Sequence, residues 1–331
     1  MGKIYHMKLN YWILNLLFFC ISPQIFAQYT DLINPNRPGQ SQGAFSVGKN
    51  VYQLEMGLGY GKEKHNLLQT KTNGLLGEYA VRLGFFTEEL EINLTGAFQQ
   101  HDVTYQNLGY SEKISNFSSN TLGAKYLIYD PYIKRELKGP NLYSWRKNNR
   151  FQVEDLIPAI SLYAGLNVDT SDNPFIYEDK LTLSPKFMLM TQNNWIGGWV
   201  FVTNFIVDRV TTEFPSYEYI LTLTHTLRSG TSMFLENHGI FSDFYSDQLL
   251  RFGVAQLINA NLHVDASLQV NFKDTPTKTY GRIGIAYRLD RHNEDEFIEE
   301  KQGLFGRQLK KDRKEKDRKE KEQRQIEESD L

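Results

Sequence analysis

Residues 262–272 read LHVDASLQVNF. Leu262, Val264, Ala266, Leu268, Val270 and Phe272 alternate with His263, Asp265, Ser267, Gln269 and Asn271. In an extended chain, successive side chains point to opposite faces, so this stretch has one apolar face and one polar face. A helix would scatter both sets around its circumference. Strands of soluble sheets usually run about five or six residues. A tilted strand crossing a bilayer takes about 9–11, which is the length of this stretch.

The pattern recurs along the chain. Tyr217, Tyr219, Leu221 and Leu223 oppose Glu218, Thr222, Thr224 and Thr226. Ile283, Ile285, Tyr287 and Leu289 oppose Arg282, Gly284, Ala286 and Arg288. Tyr52, Leu54, Met56 and Leu58 oppose Gln53, Glu55, Gly57 and Gly59, and Leu90, Ile92 and Leu94 oppose Glu91, Asn93 and Thr95. About twelve such segments are expected, near 50–60, 74–86, 88–100, 118–129, 156–168, 180–192, 196–208, 216–228, 231–241, 248–258, 261–272 and 279–289. Short connections at Thr87-Glu88, Ser229-Gly230 and Asn259-Ala260-Asn261 alternate with longer polar ones at 61–73, 101–117, 169–179 and 273–279. Short periplasmic turns and longer external loops mark an outer-membrane barrel. With the N-terminus periplasmic, an even strand count returns the C-terminus to the same side. Residues 130–154 break the rule, being long where a short turn is expected; they could hide a further strand.

These readings converge on an all-β fold: a transmembrane antiparallel up-and-down β-barrel of about twelve strands over 50–289, integral to the outer membrane with periplasmic termini. Its apolar face then meets lipid and its polar face the lumen. Glu55, Glu78, Arg82, Glu91, Lys125, Lys186, Glu218, Glu236, Arg251, Asp265, Arg282 and Arg288 would line the interior. Both signs are present, and two readings stand. One is a salt-bridge network that fills and rigidifies the lumen; the other is a polar pathway that selects solutes. Ion pairs in a narrow lumen must offset desolvation, which favours a network over isolated pairs.

The remaining sequence is consistent with export. Of 331 residues, 19 are Tyr and 21 Phe, as strands and membrane girdles require. The net charge of −2 gives no global field favouring nucleic acid. Lys3 and Lys8 precede an apolar stretch at 11–19 that is too short to span a bilayer as a helix, and Ala27 offers a small residue before a cleavage point. Residues 1–27 thus read as a cleaved signal peptide, with Met7 as an alternative start. Lipidation at Cys20 is the competing reading, against which stand the bulky Phe18 and Phe19. Cys20 is the sole cysteine, so cleavage after Ala27 removes disulfides and thiol chemistry. No later segment is apolar for the ~20 residues a membrane helix needs.

Several elements together resemble a known family, the outer-membrane barrels grouped as the MetA-pathway of phenol degradation, or putative transporter, family. They are Asn36-Arg37-Pro38, Ser46-Val47-Gly48-Lys49 and Gln53-Leu54-Glu55, then Arg82-Leu83-Gly84 and Leu90-Glu91, then Leu122-Gly123-Ala124-Lys125-Tyr126 and Pro158-Ala159-Ile160. The resemblance covers roughly 34–290, with Asn36 where the family usually carries Asp. It implies a barrel that passes small, often aromatic or hydrophobic compounds. Residues 28–49, polar and Pro/Gly-containing, precede the first strand. They read either as a flexible periplasmic lead-in or as a plug within the barrel, Arg37 pairing to a lumen carboxylate such as Glu55.

Other chemistry is absent. Residues 43–49 mimic a phosphate-binding loop, but Asn50 stands where Ser or Thr should bind magnesium. Gly57, Gly59 and Gly61 alternate on one strand face and are not a dinucleotide fingerprint. His238 lacks a serine placed beside it, and His65, His101, His225, His263 and His292 show no metal-ligand spacing. We therefore expect no catalytic residues, no cofactor and no metal. Trp195, Trp199, Tyr217 and Tyr219 suit interfacial anchors.

Residues 290–331 form a charged periplasmic tail, helical or disordered, with Asp-Arg-Lys-Glu-Lys at 312–316 and again at 317–321. Acid-first pairs such as Asp312/Lys316 and Glu315/Lys319 support a helix without an apolar stripe. The tail reads as a solvated extension or as a docking arm for a periplasmic protein; interleaved acids disfavour nucleic acid. The expected function is passage of a small solute through the barrel, with outer-membrane lipid around it. The alternative is a structural or interaction barrel with a filled lumen, serving an envelope assembly through the tail.

Overall fold

The computed structural model describes residues 32–133, 142–145, 150–177, 182–227 and 230–291. The signal peptide, the charged tail beyond Arg291, His292 and Ser229 of the expected tight turn lie outside the described residues.

Twelve strands follow one another: β1 (Val51–His65), β2 (Thr70–Gly84), β3 (Leu90–Tyr105), β4 (Tyr110–Tyr129), β5 (Ala159–Asp169), β6 (Thr182–Trp195), β7 (Trp199–Asp208), β8 (Ser216–Thr226), β9 (Thr231–Phe241), β10 (Asp247–Asn259), β11 (Leu262–Asn271) and β12 (Thr277–Asp290). Each pairs antiparallel with its neighbours in chain order, and β12 pairs back onto β1, closing the barrel. Closure pairs every strand on both sides and leaves no free edge strand, as strands in lipid must. We call the end where β1 begins and β12 finishes the proximal rim, and the opposite end the distal rim.

The alternation seen in the sequence becomes the two faces of the wall. On β11, His263, Asp265, Ser267 and Gln269 are buried while Leu268 is exposed. Every strand contributes exposed apolar side chains, among them Leu58, Leu75, Leu94, Leu122, Leu162, Phe187, Phe205, Tyr217, Leu235, Phe252, Leu268 and Ile283. A belt of this extent running around a closed barrel calls for lipid, since soluble proteins rarely expose apolar patches beyond a few hundred Å². On β1 the outward column reads Tyr52, Leu54, Met56, Leu58, Tyr60, Lys62, Lys64. Tyr52 to Tyr60 spans about 27 Å of strand, or roughly 20 Å of height at a 35–45° tilt, close to the apolar band of such barrels. The lysines begin where that band ends. At the proximal rim Tyr52 meets Phe85 edge-on at 5.9 Å, and Trp195 stacks on Phe201 at 5.8 Å.

Two expectations change. The polar stretches 61–73 and 101–117 are not long loops. The paired strands run on through them, so that only residues 66–69 connect β1 to β2 and 106–109 connect β3 to β4. Their side chains stand beyond the lipid band, where an outward face has no reason to be apolar, so the alternation fades while the ladder continues. No further strand enters the barrel wall at 130–154, because β4 pairs directly with β5. Within that connection a short 3-10 turn, Val153–Leu156, is tied to β6 by Asn193 Nδ2 and Trp195 Nε1, which donate to the Asp155 carbonyl at 3.1 and 3.0 Å.

Candidate functional site

The site is the lumen, and its axis is occupied by the residues preceding β1. Residues 33–49 start at the proximal rim, where Ile33 N–H donates to the Ala260 carbonyl at 2.8 Å. The chain then reaches into the barrel. Asn36 and Arg37 N–H both donate to the Glu55 carboxylate at 3.2 Å. The N–H groups of Gln40 and Ser41 turn onto Glu236 at 3.0 and 3.2 Å. Gln42 and Asn204 bond reciprocally: Gln42 N–H to Asn204 Oδ1 at 2.6 Å, and Asn204 Nδ2 to the Gln42 carbonyl at 2.8 Å. The chain returns along β6 and β4, with Ala44 N–H on Gln192 Oε1 at 3.0 Å and Lys125 Nζ on the Gly43 and Phe45 carbonyls at 3.2 and 2.8 Å. Val47 N–H meets Glu91 at 3.1 Å before β1 begins. Backbone groups without strand partners must be satisfied by side chains when they are buried, and lumen carboxylates and amides do this throughout.

The expected interior charges fall into three groups. Near the proximal rim, Arg82 donates to Glu91 at 2.9 Å and to Glu55 at 3.2 Å, and Lys125 pairs with Glu91 at 3.0 Å. At mid-height, Arg37 bridges Glu78 at 2.9 Å and Asp265 at 3.2 Å; Arg282 lies 3.4 Å from Glu78, and Arg251 holds Glu236. Toward the distal rim, Lys186 pairs with Asp208 and Glu218 with His238, at 2.9 and 2.8 Å. Arg288 lies at the proximal rim, on Asn261 at 2.9 Å and Asp290 at 3.3 Å. The Arg37 guanidinium reaches past Glu55 because the wall there is bare. Gly57 pairs with Gly284, and a Cβ on either would collide with the guanidinium.

Residues 36–40 divide the free space. On the proximal side a cavity of about 290 Å³ is lined by Ile33, Pro35, Val200, Val202, Thr222 and Phe234. On the distal side one cavity of about 220 Å³ is lined by Lys186, Met188, Ile206, Glu218, Ile220 and His238, among others. A second, of about 490 Å³, shares Gln40, Glu78, Asp208, Glu218 and His238 with it and runs up to the distal loops. There Tyr177, Phe214 and Phe244, from three different connections, meet with centroids 4.5–5.7 Å apart.

Alternation alone misses part of this lining. Tyr163, Met188, Met190, Ile206 and Ile220 form a buried apolar cluster on the inner face of β5–β8. The signal was an apolar run on both faces, Phe187-Met188-Leu189-Met190, where a lipid-facing strand with a polar lumen face should alternate. Asn204, Gln192 and Asp208 were missed as inward polar residues for the same reason. Among the described residues no cluster of His, Cys, Asp and Glu could hold a metal ion.

Comparison with known proteins adds a family and a set of distant likenesses. A family described as "Putative MetA-pathway of phenol degradation" matches residues 35–289. No curated protein matches the chain. Among solved structures, an outer membrane channel from Pseudomonas putida F1 is similar at 11% identity and a TM-score of 0.49, over 78% of this chain and 100% of that one. The beta domain of the Bordetella autotransporter BrkA is similar at 11% identity and a TM-score of 0.44, over 72% and 100%. The CymD monoaromatic hydrocarbon channel is similar at 7% identity and a TM-score of 0.41, over 74% and 90%.

Proposed function

The chain belongs to the family described as "Putative MetA-pathway of phenol degradation", and from that premise we propose that it is an outer-membrane channel for a small solute, held shut by residues 33–49. The observation that carries this reading is the division of the lumen into a proximal and a distal cavity by a segment of the chain's own N-terminal region. A barrel whose role was only structural would have no need of free space on both sides of such a barrier.

The distal cavity is the receiving end in this reading. Its mouth carries Phe175, Tyr177, Phe214 and Phe244, and its floor the paired charges around Glu78 and Glu218. Aromatic faces above a polar floor suit a small, largely uncharged molecule of apolar or aromatic body. The proximal rim faces the periplasm in this reading, in keeping with the expected export signal and with four proximal connections of five residues or fewer, 130–158 being the long exception. The work in this reading is passage, with the lumen charges paired with one another or with the segment.

A second reading has one observation in its favour. Arg82, Glu91 and Lys125 are tied to the segment at several points, which would suit a permanently filled lumen. Single-channel conductance in planar bilayers separates the two. The wild-type barrel should conduct rarely, and a chain lacking residues 33–49, or carrying Arg37→Ala, should conduct steadily. Silence of all three would establish the filled, structural barrel.

A further inference from the structure

The inner wall is not uniform around its circumference. On β1–β4 and β9–β12 it carries Glu55, Glu78, Arg82, Glu91, Lys125, Glu236, Arg251, Asp265 and Arg282, and these hold residues 34–41 and 47 through charged hydrogen bonds. On β6–β8, from the proximal rim to Asn204, the inner face is uncharged, and at the level of Ile206 its β8 partner is Glu218. There Val202 and Thr222 line the proximal cavity, and Met188, Ile206 and Ile220 line the distal one. The two cavities approach each other along this side. What separates them is Gln42 held by Asn204, a fully buried amide midway up β7.

The two attachments differ in strength. Hydrogen bonds to charged groups are worth more than neutral ones, and the charged side holds the segment by many. On the β7 side the contact is a neutral amide pair. Both of its bonds run to the Gln42 backbone, so the latch is two neutral hydrogen bonds. The segment is therefore pinned on one side and weakly latched on the other.

We propose that solute crosses the barrel along an apolar lane on the inner face of β6–β8, and that the Gln42–Asn204 pair is the latch that closes it. This rests on the channel reading and adds a route and a gate. Opening turns the Gln42 peptide away from β7 while Gln40 and Ser41 stay on Glu236 and Arg37 stays clamped to Glu78 and Asp265. The lane's Met, Ile, Val and Thr side chains offer no charge to bind an ion, which favours uncharged solutes over charged ones of equal size.

The test is conductance of the full chain in planar bilayers bathed in KCl. Asn204→Ala, and separately Asn204→Val, each of which removes both hydrogen bonds to the Gln42 backbone, should each raise the open fraction roughly tenfold over wild type. Folding of each is checked by heat-modifiable mobility. In the Asn204→Ala chain, with Cys20→Ser removing the sole cysteine, Ile206→Cys should lose at least half its conductance on reaction with a cationic methanethiosulfonate. Ser267→Cys, inward on β11, should not. Conductance in Arg37→Ala but in neither latch variant would leave the channel standing and overturn the lane. Equal block at 206 and 267 would also overturn it, and silence of every variant would overturn channel and lane together.

Discussion

Near the proximal rim, the side chains of Arg82, Glu91 and Lys125 are 1, 0 and 0% exposed, and that of Glu55 is 2%. Near the distal rim, Lys186 and Asp208 keep 21 and 15%, and Arg209 keeps 27%. The residue types and distances match, yet the surroundings do not. Proximal charges have one another, the segment's backbone and the amides of Gln53 and Asn93 to replace water. Distal charges border a cavity and remain partly hydrated. An identical ion pair is thus a staple at one end, where losing a partner strands a charge in a dry interior, and a lining at the other, where water takes over.

That contrast orders the expected effects of substitution. Glu91→Ala should cost most, about 3–5 kcal/mol, because it leaves Arg82 and Lys125 buried together without their shared carboxylate; urea unfolding in detergent micelles measures it. A cost under about 1 kcal/mol would mean that water reaches the proximal cluster and that the two ends are alike. Arg37→Ala comes next, at about 2–3 kcal/mol for its charged hydrogen bonds to Glu78 and Asp265. Its distinguishing readout is protease cleavage within 33–49 while the barrel stays intact. Gly57→Ala probes the same junction from the wall, since its methyl would meet the Arg37 guanidinium. We expect about 1–2 kcal/mol from overpacking and the same cleavage pattern, but weaker. Lys186→Ala should be the mildest, below about 1 kcal/mol. Its effect should fade in 1 M salt, where the Debye length falls to about 3 Å; the Glu91→Ala cost should survive the same salt.

The barrel was legible because lipid and lumen impose opposite demands on alternate residues, and 262–272 carries both demands without a break. Legibility failed where one demand lapsed. Beyond Tyr60 the outward face of β1 has left the lipid, so Lys62 and Lys64 look like a loop while the ladder with β2 continues to His65. On β6 it was the lumen side that lapsed: Met188 and Met190 face inward, and an apolar inward residue cannot be told from a lipid-facing one by hydropathy. The charged lumen residues were visible individually, but their pairing was not. Arg37 joins Glu78 and Asp265, 41 and 228 residues away, and no local pattern encodes a distance of that kind. The bare glycine wall at Gly57 and Gly284 that lets the guanidinium lie there likewise depends on the β1–β12 register, which exists only once the ring is closed.

The ring's closing seam joins the first strand to the last, and residues 33–49 lie directly upstream of the first. Most of what the segment touches lies on β1 through β11, and Arg37 also reaches the Ile283 carbonyl on β12. Arg37 is bonded to Glu78 on β2 and to Asp265 on β11, on either side of that seam. We expect the sheet to curl around its own N-terminal residues before β1 seals to β12, as a vessel is closed over contents already packed inside it. The buried carboxylates at 55, 91 and 236 then act first as a mould, gathering a chain whose backbone has no other partners, and so help to curve the sheet that they later line.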